Sequence, residues 1–229
     1  MRYASRIDLS RHFAPVRRFP MTTSAPRHDT LSVLDDATRS LVRLSAVVAT
    51  GSEHAVREMI SSAHKKVAAV WIEELLLQTH LFAGFPRALN AMREWRRHEP
   101  TPAAAADDVD VETRRQNGVA TCRAVYGSMY ERLRENIRGL HPLLDDWMIT
   151  EGYGKVLSRP GLDLPRRELC IIAACAASDQ ERQLHSHLHG ALNVGVAPTV
   201  IDQTIDAIDD LVGDHGQSAR LLWARVRGK

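Results

Sequence analysis

Cysteine is scarce in this chain: three residues in 229, Cys122, Cys170 and Cys175, with no CxxC pair among them. An odd count without paired spacing excludes a secreted disulfide framework and points to a reduced intracellular compartment. Aromatic residues make up only 5%, four each of Phe, Trp and Tyr. That is thin for a sandwich or barrel, whose pleated faces are filled by aromatic and β-branched side chains. Long apolar runs are missing too. The longest, Leu169 to Ala177, has nine residues, whereas a membrane-spanning helix needs about 20. Lysine is nearly absent, because 26 of the 30 basic residues are arginine, and 28 acidic residues hold the net charge to +2. Nothing in that balance concentrates positive charge for a nucleic acid. The expected partners therefore exclude nucleic acid and membrane, and the expected location is cytoplasmic.

What the chain does have is helix-forming Ala, Leu and Arg. Residues 1–30 carry six arginines, two aspartates and scattered Pro and Ser without an apolar core segment, which excludes a secretory signal. A disordered Arg-rich tail is expected there; a transit-like segment, or a start at Met21, are the competing readings. From Leu34 onward the apolar residues recur at three and four. Leu41, Leu44, Ala46 and Val48 mark a helix closing near Gly51. Val56, Met59, Ile60 and Ala63 mark a second, and Ile72, Leu75, Leu76 and Thr79 a third that runs to Gly84. Pro86 opens a fourth, where its missing N–H has no helical partner to lose. Residues 98–111, with two prolines, an Ala run and three aspartates, read as a linker. A long helix over about 119–138 follows, then one through Leu143 and Trp147 ended by Gly152 and Gly154. Helices over 165–178, 180–194, 198–212 and 215–227 complete the chain. No segment alternates with period two, so the fold class is all-α.

Laying residues 39–97 over 167–225 without gaps pairs Arg39 with Arg167, Leu41 with Leu169, Glu53 with Glu181 and Trp95 with Trp223. The tryptophan pair and the shared helix boundaries are not cheap matches. They point to a tandem duplication of a four-helix unit. The expected organisation is a tail over 1–30, a first unit over 31–97, a linker over 98–111 and a second unit over 112–229.

The densest chemistry lies in Leu184-His185-Ser186-His187-Leu188-His189. At about 100° per residue, Leu184, Leu188 and Ala191 form a buried stripe with His187 on its shoulder, beside Gln180 and Gln183. His185 and His189 fall on the other flank, four residues apart. With Glu181 they could present two imidazoles and a carboxylate to a metal ion, but HxxxH alone is a weak signal, and a solvated polar flank is the favoured reading. Glu168 opens the very apolar helix 165–178. Two readings compete: a carboxylate placed favourably near a helix N-terminus, or a desolvated carboxyl with a raised pKa, suited to moving a proton.

Two stretches carry a family resemblance: Gly154 through Leu169, containing Arg-Arg-Glu-Leu, and Gln183 through Gly195. They resemble the carboxymuconolactone decarboxylase family, which also includes the alkylhydroperoxidase D proteins. The family pattern joins an Arg-Glu-Leu helix start to a helix with a His eight residues before a Gly. Here those positions are Arg167, Glu168, His187 and Gly195. Residues 76–92 are similar to the family's closing helix pair. The resemblance covers most of 38–97 and 140–227, and it implies an alkylhydroperoxidase D-like helical bundle.

The chemistry it implies depends on the departures. The peroxidase branch places a CxxC four and seven residues before the family His, where this chain has Gln183 and Gln180. Cys170 and Cys175 point about 140° apart on one helix and cannot form a disulfide within it. The decarboxylase branch implies no metal or organic cofactor. Glu168 and His187 match its acid–base pair, on a small carboxylated substrate contacted by Gln180, Gln183 and Arg167. Arg167 as a structural ion-pair partner is an equal alternative. In the first half, Ser40 and Met59 replace the pair, so one site per chain is expected, covered by Phe82, Phe85 and His80. Single-unit members assemble as trimers or hexamers, so self-association as a trimer or dimer is expected. Thiol peroxidase activity and a non-enzymatic ligand-binding role are the alternatives.

Overall fold

The computed structural model describes residues 30–228; the tail expected over 1–30 lies, apart from Thr30, outside them. Among the described residues the fold is all-α, as the periodicity and the family resemblance imply. The helices are α1 (Asp36–Thr50), α2 (Glu53–His64), α3 (Ala69–Ala83), α4 (Phe85–Trp95), α5 (Val111–Tyr126) and α6 (Tyr130–Leu140). They continue as α7 (Pro142–Trp147), a π-helical segment (Met148–Leu157), α8 (Leu164–Ala177), α9 (Glu181–Asn193), α10 (Pro198–Ala207), α11 (Asp209–Val212) and α12 (His215–Arg227). Their starts follow from local chemistry. The side chains of Asp35, Ser52, Asp110 and Asp163 accept hydrogen bonds from first-turn N–H groups of α1, α2, α5 and α8. Prolines occupy the first turns of α4, α7, α8 and α10. No helix among the described residues is long and apolar enough to cross a membrane.

The structure departs from the sequence reading between the two halves. The helix expected over 119–138 starts at Val111, because Asp110 caps the N–H groups of Glu112 and Thr113. It then breaks at Gly127, whose φ of 53° lies in the left-handed region. Gly152 and Gly154 do not end a helix; the π-helical segment runs through both. Gly154 serves a close crossing instead: a Cβ there would lie 2.3 Å from the Arg114 carbonyl oxygen, and one at Gly118 2.1 Å from that of Ile149. The helix expected over 198–212 divides at Ile208. The linker is tied down, its Ala103 and Ala104 N–H groups donating to Glu73 at 2.8 and 2.7 Å. Burial works to raise the pKa of Glu73, but hydrogen bonds from Arg96, Ala104, Trp95 and Ala103 hold it below its ordinary value.

Helices α1 and α8 pack against each other in the middle of the core, joined by the Ser45 hydroxyl donating to the Cys170 carbonyl at 2.7 Å. Helices α2 and α3 flank α1, while α9 and α10 flank α8; α3 also reaches α8, and α10 reaches α1. The same local pattern recurs along the chain. Helices begin at 36, 53, 69 and 85, and again at 164, 181, 198 and 215. Thr50 bonds back to the Ala46 carbonyl as Ser178 does to that of Ala174. The Trp95 indole donates to Glu73 at 3.0 Å, and the Trp223 indole to Asp202 at 2.7 Å. A cleft lined by Val48, Gly51, Glu53 and Val56 is matched by one lined by Ala176, Asp179, Glu181 and Leu184.

Candidate active site

Glu168 stands one turn into α8 and His187 midway along α9, where the two helices cross. Glu168 is wholly buried and His187 is 5% exposed. The Glu168 Oε2 and His187 Nδ1 atoms are hydrogen-bonded at 2.8 Å. Glu168 Oε1 is buried too, and has no hydrogen-bond partner among the described residues. A buried carboxylate oxygen left unpaired costs about 1–3 kcal/mol, which makes it a candidate functional atom. The crossing is close because residue 190 is glycine. A Cβ there would fall 2.7 Å from Glu168 Oε2 and 2.7 Å from Val125 Cγ1.

The wall around the pair comes from three further elements. Phe82, from α3, meets the His187 ring edge to face at 5.5 Å. Tyr126 at the end of α5 meets Tyr153 of the π-helical segment at 6.3 Å between ring centroids. Burial pushes the Tyr126 phenol up to about 12, and the charge of Glu168 adds to the rise. Tyr153 is shifted upward for the same leading reason. The cysteines are all buried, and burial raises Cys122 and Cys175 to about 12 and Cys170 still further. None is a thiolate near neutral pH, which is the form a thiol peroxidase needs.

The remaining expected site residues lie elsewhere. Arg167, one position from Glu168, is fully buried and points away from the pair into a protein network. Its guanidinium donates to Glu74 at 2.7 Å, Gln78 at 3.1 Å and the carbonyls of Leu162 and Arg159 at 3.0 and 3.1 Å. Burial lowers its pKa, with Glu74 opposing the shift. Gln180 is exposed just before α9, donating to the Ser178 carbonyl, and Gln183 is exposed on that helix's first turn. His80 and Phe85 stack on one another at 4.7 Å and line a cleft that contains neither Glu168 nor His187. The first half does reach the pair, but through Phe82: two residues along α3 from His80, it projects from the opposite side of the helix. His185 and His189 meet edge to face at 4.9 Å. No group of three or more metal-ligating side chains suited to an ion occurs among the described residues.

Sequence reasoning missed Tyr126, Tyr153 and Val125. They sit on α5 and the π-helical segment, whose spacing bears no relation to that of α8 and α9. The one available signal was the glycine pair Gly118 and Gly154, which marks where those two elements cross.

The model of the carboxymuconolactone decarboxylase family matches residues 144–225, which contain both Glu168 and His187. Two relatives share longer stretches. Peroxisomal protein 2 of Schizosaccharomyces pombe is 33% identical over 129 residues, covering 54% of this chain and 60% of that protein. Peroxisomal protein 2 of Saccharomyces cerevisiae is 25% identical over 179 residues, covering 66% of this chain and 62% of that protein. The chain thus spans less than two thirds of the length of either relative.

Proposed function

We propose that the chain, whose residues 144–225 match the model of the carboxymuconolactone decarboxylase family, is an acid–base enzyme acting on a small carboxylated or enolisable substrate, without a metal or organic cofactor. The observation that carries this reading is the buried Glu168–His187 hydrogen bond of 2.8 Å beside an unpartnered carboxylate oxygen. In a decarboxylation, the bond from the α-carbon to the carboxylate breaks and CO₂ leaves. The electron pair stays behind as an enolate, which takes up a proton at carbon. A Glu–His pair holding one proton supplies it and recovers it from water afterwards. Glu168 orients the ring through Nδ1, which leaves Nε2 as the nitrogen that meets substrate. Arg167 is excluded from substrate contact by its own partners, so the substrate carboxylate is met by other groups.

The test uses whichever small organic acid or lactone the purified chain turns over. Glu168→Gln and His187→Ala should each lower turnover by about 10²–10⁴-fold, with circular dichroism showing that both variants remain folded at the assay temperature. The Cys170→Ser/Cys175→Ser double variant should retain turnover. Full activity in both Glu168→Gln and His187→Ala would reject the assignment.

The recurring helix pattern supports a duplicated chain with one live site, since Ser40 and Met59 stand where Glu168 and His187 would be. Exposed Leu140, Leu143, Leu144 and Trp147 on α6 and α7 support self-association, which sedimentation of the purified chain tests. Both relatives are named peroxisomal proteins, so the peroxisome replaces the cytoplasm as our preferred location. A tagged chain that distributes with the cytosol would reverse that preference.

A further inference from the structure

A groove of about 450 Å³ is lined by Val125 and Tyr126, which stand beside the Glu168–His187 pair, and by neither member of the pair itself. Val125 is the same residue that shares the Gly190 crossing with Glu168 Oε2, so the groove and the pair are one side chain apart. Its floor is apolar, with Val125 of α5, Met129 of the turn that follows it and Leu133 of α6. Its rim is cationic or neutral: Arg132 from α6 faces His185 and His189 from α9, and no acidic residue among the described ones lines it. Arg132 has no ion pair among the described residues, while its neighbours Arg134 and Arg138 are both held by Asp145. The volume falls in the range of small-molecule sites, about 300–1,000 Å³. The larger cleft of about 630 Å³ beside Phe85 mixes Asp107 and Glu151 with Lys155 and Arg159, and none of its lining residues shares the Gly190 crossing with Glu168.

We propose that this groove seats the substrate, and that the substrate class is an amphiphilic organic anion. Its apolar body lies along Val125, Met129 and Leu133, and a carboxylate is anchored by Arg132. Tyr126 closes the inner end, so its ring separates the seated body from the buried pair until the reacting end passes. Charge complementarity selects this occupant, because an unpaired guanidinium above an apolar floor favours an anion with a hydrocarbon body over a neutral or cationic ligand. The inference rests on the acid–base reading only for what happens after binding.

The experiment is a fluorescence titration of the full chain with 8-anilinonaphthalene-1-sulfonate, followed by displacement with decanoate and with decanol. Saturable binding is expected, with decanoate displacing the probe at least about tenfold better than decanol. Arg132→Ala should weaken the decanoate effect about tenfold, the size of one charge-assisted contact. Leu133→Trp, which fills the floor, should abolish probe binding, while Lys155→Ala in the other cleft should change nothing. Equal displacement by decanol, unchanged affinity in Arg132→Ala, or no binding at all would overturn the proposal. Circular dichroism melts confirm that each variant is folded. Glu168→Gln separates the two readings. If it binds decanoate normally and no acid is ever turned over by the unsubstituted chain, the groove stands and the acid–base reading falls. If acids are turned over and Arg132→Ala leaves KM unchanged, the groove falls alone.

Discussion

The helix quartets α1–α4 and α8, α9, α10 and α12 start at a recurring spacing and carry different side chains at their crossings. Asp35 and Asp163 cap equivalent helices, the equivalent Trp95 and Trp223 each donate to a carboxylate, though one position out of register, and clefts open at matching places. What separates the halves is a pair of side chains and what covers them. In the first half Ser40 bonds back to the Asp36 carbonyl at 2.8 Å, and Met59 packs on the core. In the second, Glu168 and His187 bond to each other beneath Val125, Tyr126 and Tyr153. Those covering residues come from α5 and the π-helical segment, which precede the second quartet.

The comparison is sharpest at Arg39 and Arg167, the same residue at equivalent places. Arg167 is fully buried against Glu74, whereas Arg39 is half-buried with no side-chain hydrogen bond among the described residues. Arg167→Ala leaves the Glu74 carboxylate buried with one fewer partner and should cost about 3–5 kcal/mol. Arg39→Ala should stay within about 0.5 kcal/mol. Urea unfolding of the two variants measures both, and equal costs would break the comparison.

A smaller effect separates Gly190 from its first-half equivalent, the exposed Ser62. The methyl of Gly190→Ala meets Glu168 and Val125 and forces one of them aside. It should cost about 1–3 kcal/mol and lower turnover along with stability. Ser62→Ala should do neither, as a paired melt and activity assay will show.

The smallest expected difference is in acid. Glu73 on α3 and Asp145 on α7 are both held below their ordinary pKa. For Asp145 the hydrogen bond from Arg134 leads, followed by burial, which opposes it, and the bond from Arg138; for Glu73, burial opposes the bonds from Arg96 and its neighbours. A carboxylate with a lowered folded pKa stabilises the fold above its unfolded value and loses that contribution as pH falls through the folded one. Stability should therefore hold near neutral pH and decline below about pH 4. Glu73→Gln and Asp145→Asn should each flatten that decline in denaturant titrations across pH. A flattening by only one of them would show that the halves differ in acid sensitivity.

Much of this molecule was legible before any coordinates. The caps, the prolines and the three-and-four spacing locate most helices of both quartets, because those signals act within one turn. The Arg-Glu-Leu and His motifs name Glu168 and His187. Legibility failed where the deciding contact is remote. Arg167 and Glu74 are 93 residues apart, so nothing near Arg167 shows that it serves the core and not a substrate. His80 and Phe85 shared a helix corner with Phe82, and only the packing of α3 on α8 decides which of them faces His187. The glycines at 152 and 154 read as breakers because the backbone that fills their space belongs to α5.

By itself, then, the amino-acid order determined the helical class and the starts of most helices in the two quartets. Both depend on short-range geometry that repeats every turn. Glu168 and His187 stood out through the motif of a resembling family. The tertiary structure alone decided that Glu168 and His187 touch, that Arg167 is buried away from them, and that Tyr126 and Tyr153 roof the site. Each of those depends on bringing distant segments to one crossing, where desolvation and steric fit, not local periodicity, set the chemistry.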